Sequence, residues 1–210
     1  MPLGVVLADD HALVRQGLKA LLEQDGLRVL GEAADGEEAI RLVQRLQPDV
    51  AILDIGMPVL NGLEAARELQ KVSPTTKVIV LTRHEEDQYV VEALRAGVKG
   101  YVLKSQVARD LIQALQQVSA GKIYLSPGVA HAVVEAYLSG RELPSDSLTS
   151  RERQVLQLVS EGKSTKEIAT MLGISVKTAE SHRGRLMRKL DIHETASLVR
   201  YAIRRGLVQP

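Results

Sequence analysis

Val50-Ala-Ile-Leu-Asp54, followed by Ile55-Gly-Met-Pro58, is a short apolar run that ends on an acid and breaks into a loop. Four apolar residues in a row, too few for a helix and lacking period-2 alternation, read as a strand buried on both faces. Working outward, similar runs lie at 4–8, 28–30, 78–81 and 101–103. The intervals carry helical spacing: Leu13/Val14/Leu18/Leu21/Leu22, Ala39/Ile40/Val43/Leu46, Leu63/Ala66/Leu69, Val90/Val91/Leu94, and Leu111 through Leu115 to Val118. Asp35-Gly-Glu-Glu38 and Asn61-Gly-Leu-Glu64 have the spacing of capping boxes and mark two of the helix starts. Five strands alternating with five helices predict an α/β domain, a five-stranded doubly wound parallel sheet.

Beyond the fifth helix the pattern changes. Ser126-Pro127 reads as an N-cap and a first-turn proline, opening a helix through about Leu138. The polar, aperiodic stretch 139–147 contains Gly140 and Pro144 and reads as a linker. After it there is no strand signal. Thr149-Ser-Arg-Glu152 and Ser164-Thr-Lys-Glu167 are further capping boxes, another helix starts near Ser175, and a last one covers roughly Glu194 to Arg205. A small all-α domain is expected, giving boundaries of 1–122, a connecting helix and linker over 123–147, and 148–210.

Charge divides along the same line. Residues 1–140 hold 14 Lys/Arg against 18 Asp/Glu, and residues 141–210 hold 13 against 8, so a net charge of +1 conceals a basic C-terminal third. That third suits a polyanionic partner. The chain has no cysteine, which excludes disulfides and thiolate metal sites and fits a reducing compartment. Its apolar runs are far too short to span a bilayer, and no charged-then-apolar leader opens it. A cytoplasmic protein is expected.

In a doubly wound sheet, ligands gather at the carboxyl ends of the strands. Asp9 and Asp10 follow the first strand, Asp54 ends the third, Thr82 the fourth and Lys104 the fifth. One aspartate at a strand end is usually a cap or turn residue. Five such groups on one edge make coincidence improbable. Three carboxylates together require a counter-cation, and oxygen donors with room for water suit Mg²⁺. Leu7-Ala-Asp-Asp-His11, Asp54-Ile-Gly-Met-Pro58, Leu81-Thr82 and Gly100-Tyr-Val-Leu-Lys104 resemble the receiver domains of two-component response regulators, over about residues 3–120. The resemblance implies a flavodoxin-like fold with Asp54 as the acceptor of a phosphoryl group from a sensor histidine kinase. It also implies that Asp10, Asp54 and the Gly56 carbonyl hold Mg²⁺ with help from Asp9, and that Lys104 pairs with the phosphoryl oxygens. Thr82 and Tyr101 would form a switch, and positions 56 and 84 (here Gly56 and His84) influence phosphoaspartate lifetime. His84, ahead of Glu85-Glu86-Asp87, otherwise reads as a surface residue at a helix start.

The segment from Ser164 to about Leu172, the turn Gly173-Ile174 and the helix from Ser175 have helix-turn-helix proportions. In the second helix Ala179, Leu186 and Leu190 form the apolar stripe. Lys177, Glu180, Ser181, Gly184 and Arg188 lie opposite, flanked by Arg183, Arg185 and Lys189. A basic face with small residues is what a major groove admits. Leu148-Thr-Ser-Arg-Glu152, Glu161-Gly-Lys-Ser-Thr-Lys-Glu-Ile-Ala169, Leu172-Gly-Ile-Ser175, Lys177-Thr-Ala-Glu-Ser-His182 and Lys189-Leu190 resemble the LuxR-type DNA-binding domain, over about residues 145–208. Joined to a receiver, this is the pattern of the NarL/FixJ class. By that resemblance Lys163, Ser164, Thr165, Lys166, Lys177, Thr178, Glu180, Ser181, Arg183, Gly184, Arg185, Arg188 and Lys189 face double-stranded DNA. Glu180 stands where many members carry lysine, which suggests an altered base preference. His182 is expected to pack inward.

The chain is therefore expected to be a phosphorylation-controlled transcriptional regulator, not an enzyme, that pairs as a homodimer on phosphorylation or on DNA. A phosphohydrolase using Asp-x-Asp would need an acid where Gly56 stands. A constitutive DNA binder with a vestigial receiver would be expected to have lost one of Asp9, Asp10, Asp54, Thr82 or Lys104.

Overall fold

A computed structural model of the chain describes residues 2–83, 87–130, 134, 148–204 and 207–208. Two compact units emerge, Met1–Pro144 and Ser145–Pro210.

The first unit alternates β1 (Gly4–Ala8), α1 (Ala12–Gln24), β2 (Arg28–Ala33), α2 (Gly36–Leu46), β3 (Val50–Asp54), α3 (Gly62–Val72), β4 (Lys77–Thr82), α4 (Asp87–Arg95), β5 (Gly100–Leu103), a 3₁₀ turn Lys104–Gln106, and α5 (Val107–Ser119). All strands pair in parallel in the order β2-β1-β3-β4-β5-β6, with β6 at Tyr124–Leu125. The two faces of the sheet explain the apolar runs. Val6, Ala8, Leu53, Val78 and Val80 fill one hydrophobic cluster, while Val5, Leu7, Ile52, Ile79 and Leu81 fill the other. Successive side chains alternate between the faces, so a strand covered on both sides must be apolar throughout.

The sheet has a sixth strand, β6 (Tyr124–Leu125), where five were expected. Two residues carry no readable period. Tyr124 pairs with Gly100 and Leu125 with Tyr101 at the sheet edge. Pro127 to Ala130 are helical, as Ser126-Pro127 suggests, and Val129 is fully buried in the cluster that holds Tyr101. The Ser126 hydroxyl, at the capping position, donates instead to Asp110 Oδ2 at 2.7 Å. The 139–147 linker, and most of the helix expected up to Leu138, fall outside the described residues.

The helix starts show how the capping signals work. Asp35 accepts from the Glu38 amide and Asn61 from those of Leu63 and Glu64, satisfying first-turn donors. The first is not a reciprocal box, because Glu38 reaches the Ala34 amide; Glu64 pairs with Arg67. Gly62 follows Asn61 so closely under β3 that an added β-carbon would stand 2.2 Å from the Asp54 carbonyl oxygen. Only glycine lets α3 begin there.

The second unit is α6 (Ser150–Ser160), α7 (Thr165–Met171), α8 (Val176–Leu190) and α9 (Thr195–Arg204). Here Thr149/Glu152 and Ser164/Glu167 are complete capping boxes. Val155, Leu156, Leu158, Ile168, Ala169, Ala179, Leu186, Leu198 and Ala202 form its core. Among the described residues, no helix is long and apolar enough to cross a membrane.

Candidate functional site

The parallel strands deliver their carboxyl ends to one edge, and the acidic constellation assembles there. Asp9 and Asp54 are almost wholly buried, as is Thr82 at the end of β4. Asp10 remains partly open to solvent. Lys104 Nζ reaches back from the end of β5 and lies 2.8 Å from Asp9 Oδ2 and 2.8 Å from Asp54 Oδ2. The contact to Asp9 is an aligned hydrogen bond. That to Asp54 is one of charge, because Asp54 Oδ2 is buried without an aligned donor.

Burial therefore pushes the Asp54 carboxyl above the ordinary aspartate value; the Lys104 charge offsets part of this, and the Asp9 charge adds to it. Burial alone would lower Lys104, but the charge of Asp54 and then the hydrogen bond and charge of Asp9 outweigh it and hold the ammonium above its ordinary value. One lysine faces two buried carboxylates, and Asp10 adjoins Asp9. An under-satisfied buried oxygen, an excess of negative charge and all-oxygen donors are the features a hard divalent cation fits.

Two neighbours escaped sequence reasoning. His11 donates its amide to Asp9 Oδ1 at 2.9 Å, and its Nδ1 lies 2.7 Å from Asp10 Oδ1. Ligand atoms of Asp9, Asp10 and His11 all lie within 4.8 Å of one another. Arg15, one turn into α1, donates to the Asp9 carbonyl and so anchors the end of β1. The available signal was their adjacency to Asp9-Asp10, which by itself does not tell a site residue from a cap.

Tyr101 is fully buried on β5, and its carbonyl accepts from the Ser126 amide at 3.0 Å. The residue expected to switch is thus bonded to the chain that enters the connecting helix. His84 lies outside the described residues.

In the second unit, Gly173 turns the chain between α7 and α8 at φ +61°, and Arg151 from α6 donates to the Leu172 carbonyl at 2.7 Å. The Ser175 hydroxyl caps α8 by accepting from Thr178. This helix buries Ala179 and Leu186, and exposes Lys177, Thr178, Glu180, Ser181, Gly184, Arg185 and Arg188. On α7 and its cap, Ser164 and Lys166 are exposed, while Lys163 and Thr165 are half-buried.

Four basic residues of the expected DNA face have partners within the unit, Arg188 among them through the Gly184 carbonyl at 3.4 Å. Arg183 donates to Thr195 Oγ1 at 2.8 Å, and Arg185 to Ser181 Oγ at 3.1 Å. Lys189 Nζ lies 2.7 Å from Oε2 of buried Glu152, so its charge is committed to the fold. His182 is half-buried; burial, then the charges of Arg185 and Arg151, lower its pKa and favour neutral imidazole.

Against known proteins, residues 5–116 match the response regulator receiver domain, and residues 146–202 match the luxR family of bacterial regulatory proteins. The chain is 37% identical over 213 residues to oxygen regulatory protein NreC of Staphylococcus carnosus, covering 97% of this chain and 98% of that one. With response regulator UvrY of Escherichia coli the identity is 35% over 208 residues, covering 98% and 95%. Among solved structures, RcsB of Salmonella enterica serovar Typhimurium, bound to a promoter in the presence of a phosphomimetic, aligns with a TM-score of 0.66 at 29% identity. That alignment covers 96% of this chain and 98% of RcsB. A complex of the response regulator RcsB with DNA aligns with a TM-score of 0.61, also at 29% identity, covering 96% and 98%. Matches to both units, in the same order and over nearly the full length, leave one assignment: this chain belongs to the two-component response regulators that join a receiver domain to a luxR-type DNA-binding domain.

Proposed function

We propose that Asp54 accepts a phosphoryl group from a sensor histidine kinase in the cytoplasm, and that this controls how the C-terminal unit binds double-stranded DNA as a dimer. The observation that carries the reading is the Lys104 ammonium, 2.8 Å from both Asp9 and Asp54 at the carboxyl edge of a parallel sheet. Residues 1–122 form the phosphoryl-accepting unit, 123–147 the connection, and 148–210 the DNA-binding unit.

An Asp54 carboxylate oxygen attacks the phosphorus in line, and the donor's bond to phosphorus breaks with its electron pair leaving on the donor. Lys104, held protonated by its two aspartates, neutralises the phosphoryl oxygens as they arrive. Asp9, Asp10, Asp54 and the Gly56 carbonyl would hold Mg²⁺, which supplies further neutralisation of those oxygens. The Thr82 hydroxyl closes onto the phosphoryl group, and Tyr101 follows it. Tyr101 shares a hydrophobic cluster with Val129, so that movement is felt at the start of the connection.

Incubation with acetyl phosphate and Mg²⁺ tests the first step. One phosphoryl group is expected on Asp54, with binding to selected DNA increased. A label on another residue, or none, would overturn the assignment.

On DNA, Lys177, Thr178, Glu180, Ser181, Gly184 and Arg188 face the major groove, while Lys163, Ser164, Thr165, Lys166, Arg183 and Arg185 approach the backbone. A glutamate accepts from the cytosine amino group but repels phosphates. Glu180→Lys is therefore expected to change the sequence selected from random DNA, with about 1–3 kcal/mol of discrimination at the affected base pair. An equal change in affinity for all sequences would remove Glu180 from the base-reading set.

A further inference from the structure

Most glycines with a visible reason answer to this chain's own atoms. Gly36 and Gly62 sit where an added β-carbon would strike the Leu60 or Asp54 carbonyl, and Gly173 has φ +61°. Gly184 has neither reason. It lies inside the 15-residue helix α8, it is exposed, and its φ is outside the left-handed region. A β-carbon there would meet nothing within 4 Å. A mid-helix glycine weakens the helix relative to alanine, because it leaves more backbone freedom in the unfolded chain. Within its own fold, α8 gains nothing in return.

Gly184 lies one turn from Glu180, Ser181 and Arg188 and two turns from Lys177, all on the exposed face. Arg188 Nε folds back towards the Gly184 carbonyl at 3.4 Å, leaving the space around an added β-carbon open. The face thus has a notch, with small Ser181 and Gly184 at its floor and charged side chains around it.

We infer that Gly184 is the point of closest approach between α8 and the floor of the major groove, and that base selectivity depends on the absence of a side chain there. The inference rests on the reading of α8 as the groove helix. A helix with its side chains is about 10–12 Å across and the groove about 12 Å wide, so the fit leaves little slack. A β-carbon at the centre of the contact stands about 1.5 Å off the Cα. It would lift the helix and lengthen the reach of Glu180, Ser181 and Arg188 to the base edges.

The test uses the full chain and DNA that the wild type selects from random sequence. Gly184→Ala is expected to raise the melting temperature of the C-terminal unit by about 4–8 °C. It is also expected to lower affinity for the selected DNA about tenfold, the scale of one misread base pair. Gly184→Gln, also a good helix former, should bind more weakly still. Gly17, inside α1 of the first unit, is the control: it too is exposed with nothing within 4 Å of an added β-carbon. Gly17→Ala should stabilise the first unit and bind DNA as the wild type does. Wild-type affinity and preference in both Gly184 variants would overturn the inference. So would a lowered melting temperature in Gly184→Ala, which would trace the lost binding to folding. Lys177→Ala and Arg185→Ala separate the two levels. If they too bind normally, the groove reading of α8 fails; if they are weakened while the Gly184 variants are not, only the inference fails.

Discussion

Asp54→Asn is expected to abolish phosphoryl incorporation and, at pH 7, to raise the melting temperature of the N-terminal unit. The first effect follows from removing the nucleophilic oxygen. The second follows from the surroundings of the carboxylate, which is buried, lacks an aligned donor on Oδ2 and feels the charge of Asp9. Its folded pKa lies above the unfolded value of 3.8, so folding favours the protonated acid. Below the unfolded pKa both states are protonated and the group costs nothing. As the pH rises through the folded pKa, the unfolded state ionises more readily and stability is lost. Above the unfolded value the wild type carries a penalty that the amide does not. Lys104 keeps its hydrogen bond to Asp9 at 2.8 Å, so the substitution does not strand the ammonium. The gain should be about 1–3 kcal/mol, the usual cost of an under-satisfied buried polar group, and should vanish towards acid pH. Added Mg²⁺ should narrow the difference by stabilising the wild type. Thermal melts across pH 4–8 check this, and a variant less stable than the wild type at pH 7 would show that Lys104 already compensates Asp54 in full. The site then resembles many sites where function and stability pull against each other.

How much of this was legible depended on whether the information was local. The strands of the first unit could be read because burial on both faces demands an unbroken apolar run such as Val50 to Leu53. The position of Asp54 followed, since a parallel sheet sends every strand end to the same edge. β2 was read short because an edge strand half open to solvent admits Gly31 and Glu32. β6 was missed because Tyr124 and Leu125 are too few to show a period, and their partners lie more than twenty residues earlier. The same holds for side-chain partners. Sequence places Ser126 at a helix start, and that is correct; the destination of its hydroxyl, Asp110, depends on how α5 packs against β5. Lys189 is the clearest instance. Its place in a basic helix suggests a phosphate contact, whereas its partner lies 37 residues away on α6.

That partner makes Lys189→Met the second large expected effect, and a structural one. Glu152 Oε2 accepts from the Thr149 amide at 2.9 Å and from Lys189 Nζ at 2.7 Å, so one carboxylate closes the cap of α6 and ties α6 to α8. Burial alone would raise the Glu152 carboxyl; the Lys189 hydrogen bond and those from Thr149 outweigh burial and hold it below its ordinary value. A depressed pKa contributes stability that is present above the unfolded value of 4.5 and lost as pH falls through the folded value. Without Lys189, a buried carboxylate is left with only its cap. A fully buried pair would cost about 3–5 kcal/mol to break, but over a third of the Lys189 side chain is exposed, 37%. About 2 kcal/mol is expected after that discount, or a fall of about 8–16 °C in the melting temperature of a unit this small. DNA binding should decline with the folded fraction, and Glu152→Gln combined with Lys189→Met should recover part of the stability, because no charge is then left buried. Arg185→Ala should do the opposite: it should leave the melting temperature near that of the wild type and reduce the salt dependence of binding by about one unit of slope. If Lys189→Met instead melts normally and lowers only the salt slope, the lysine belongs with the phosphate contacts, and the ion pair with Glu152 contributes nothing that folding needs.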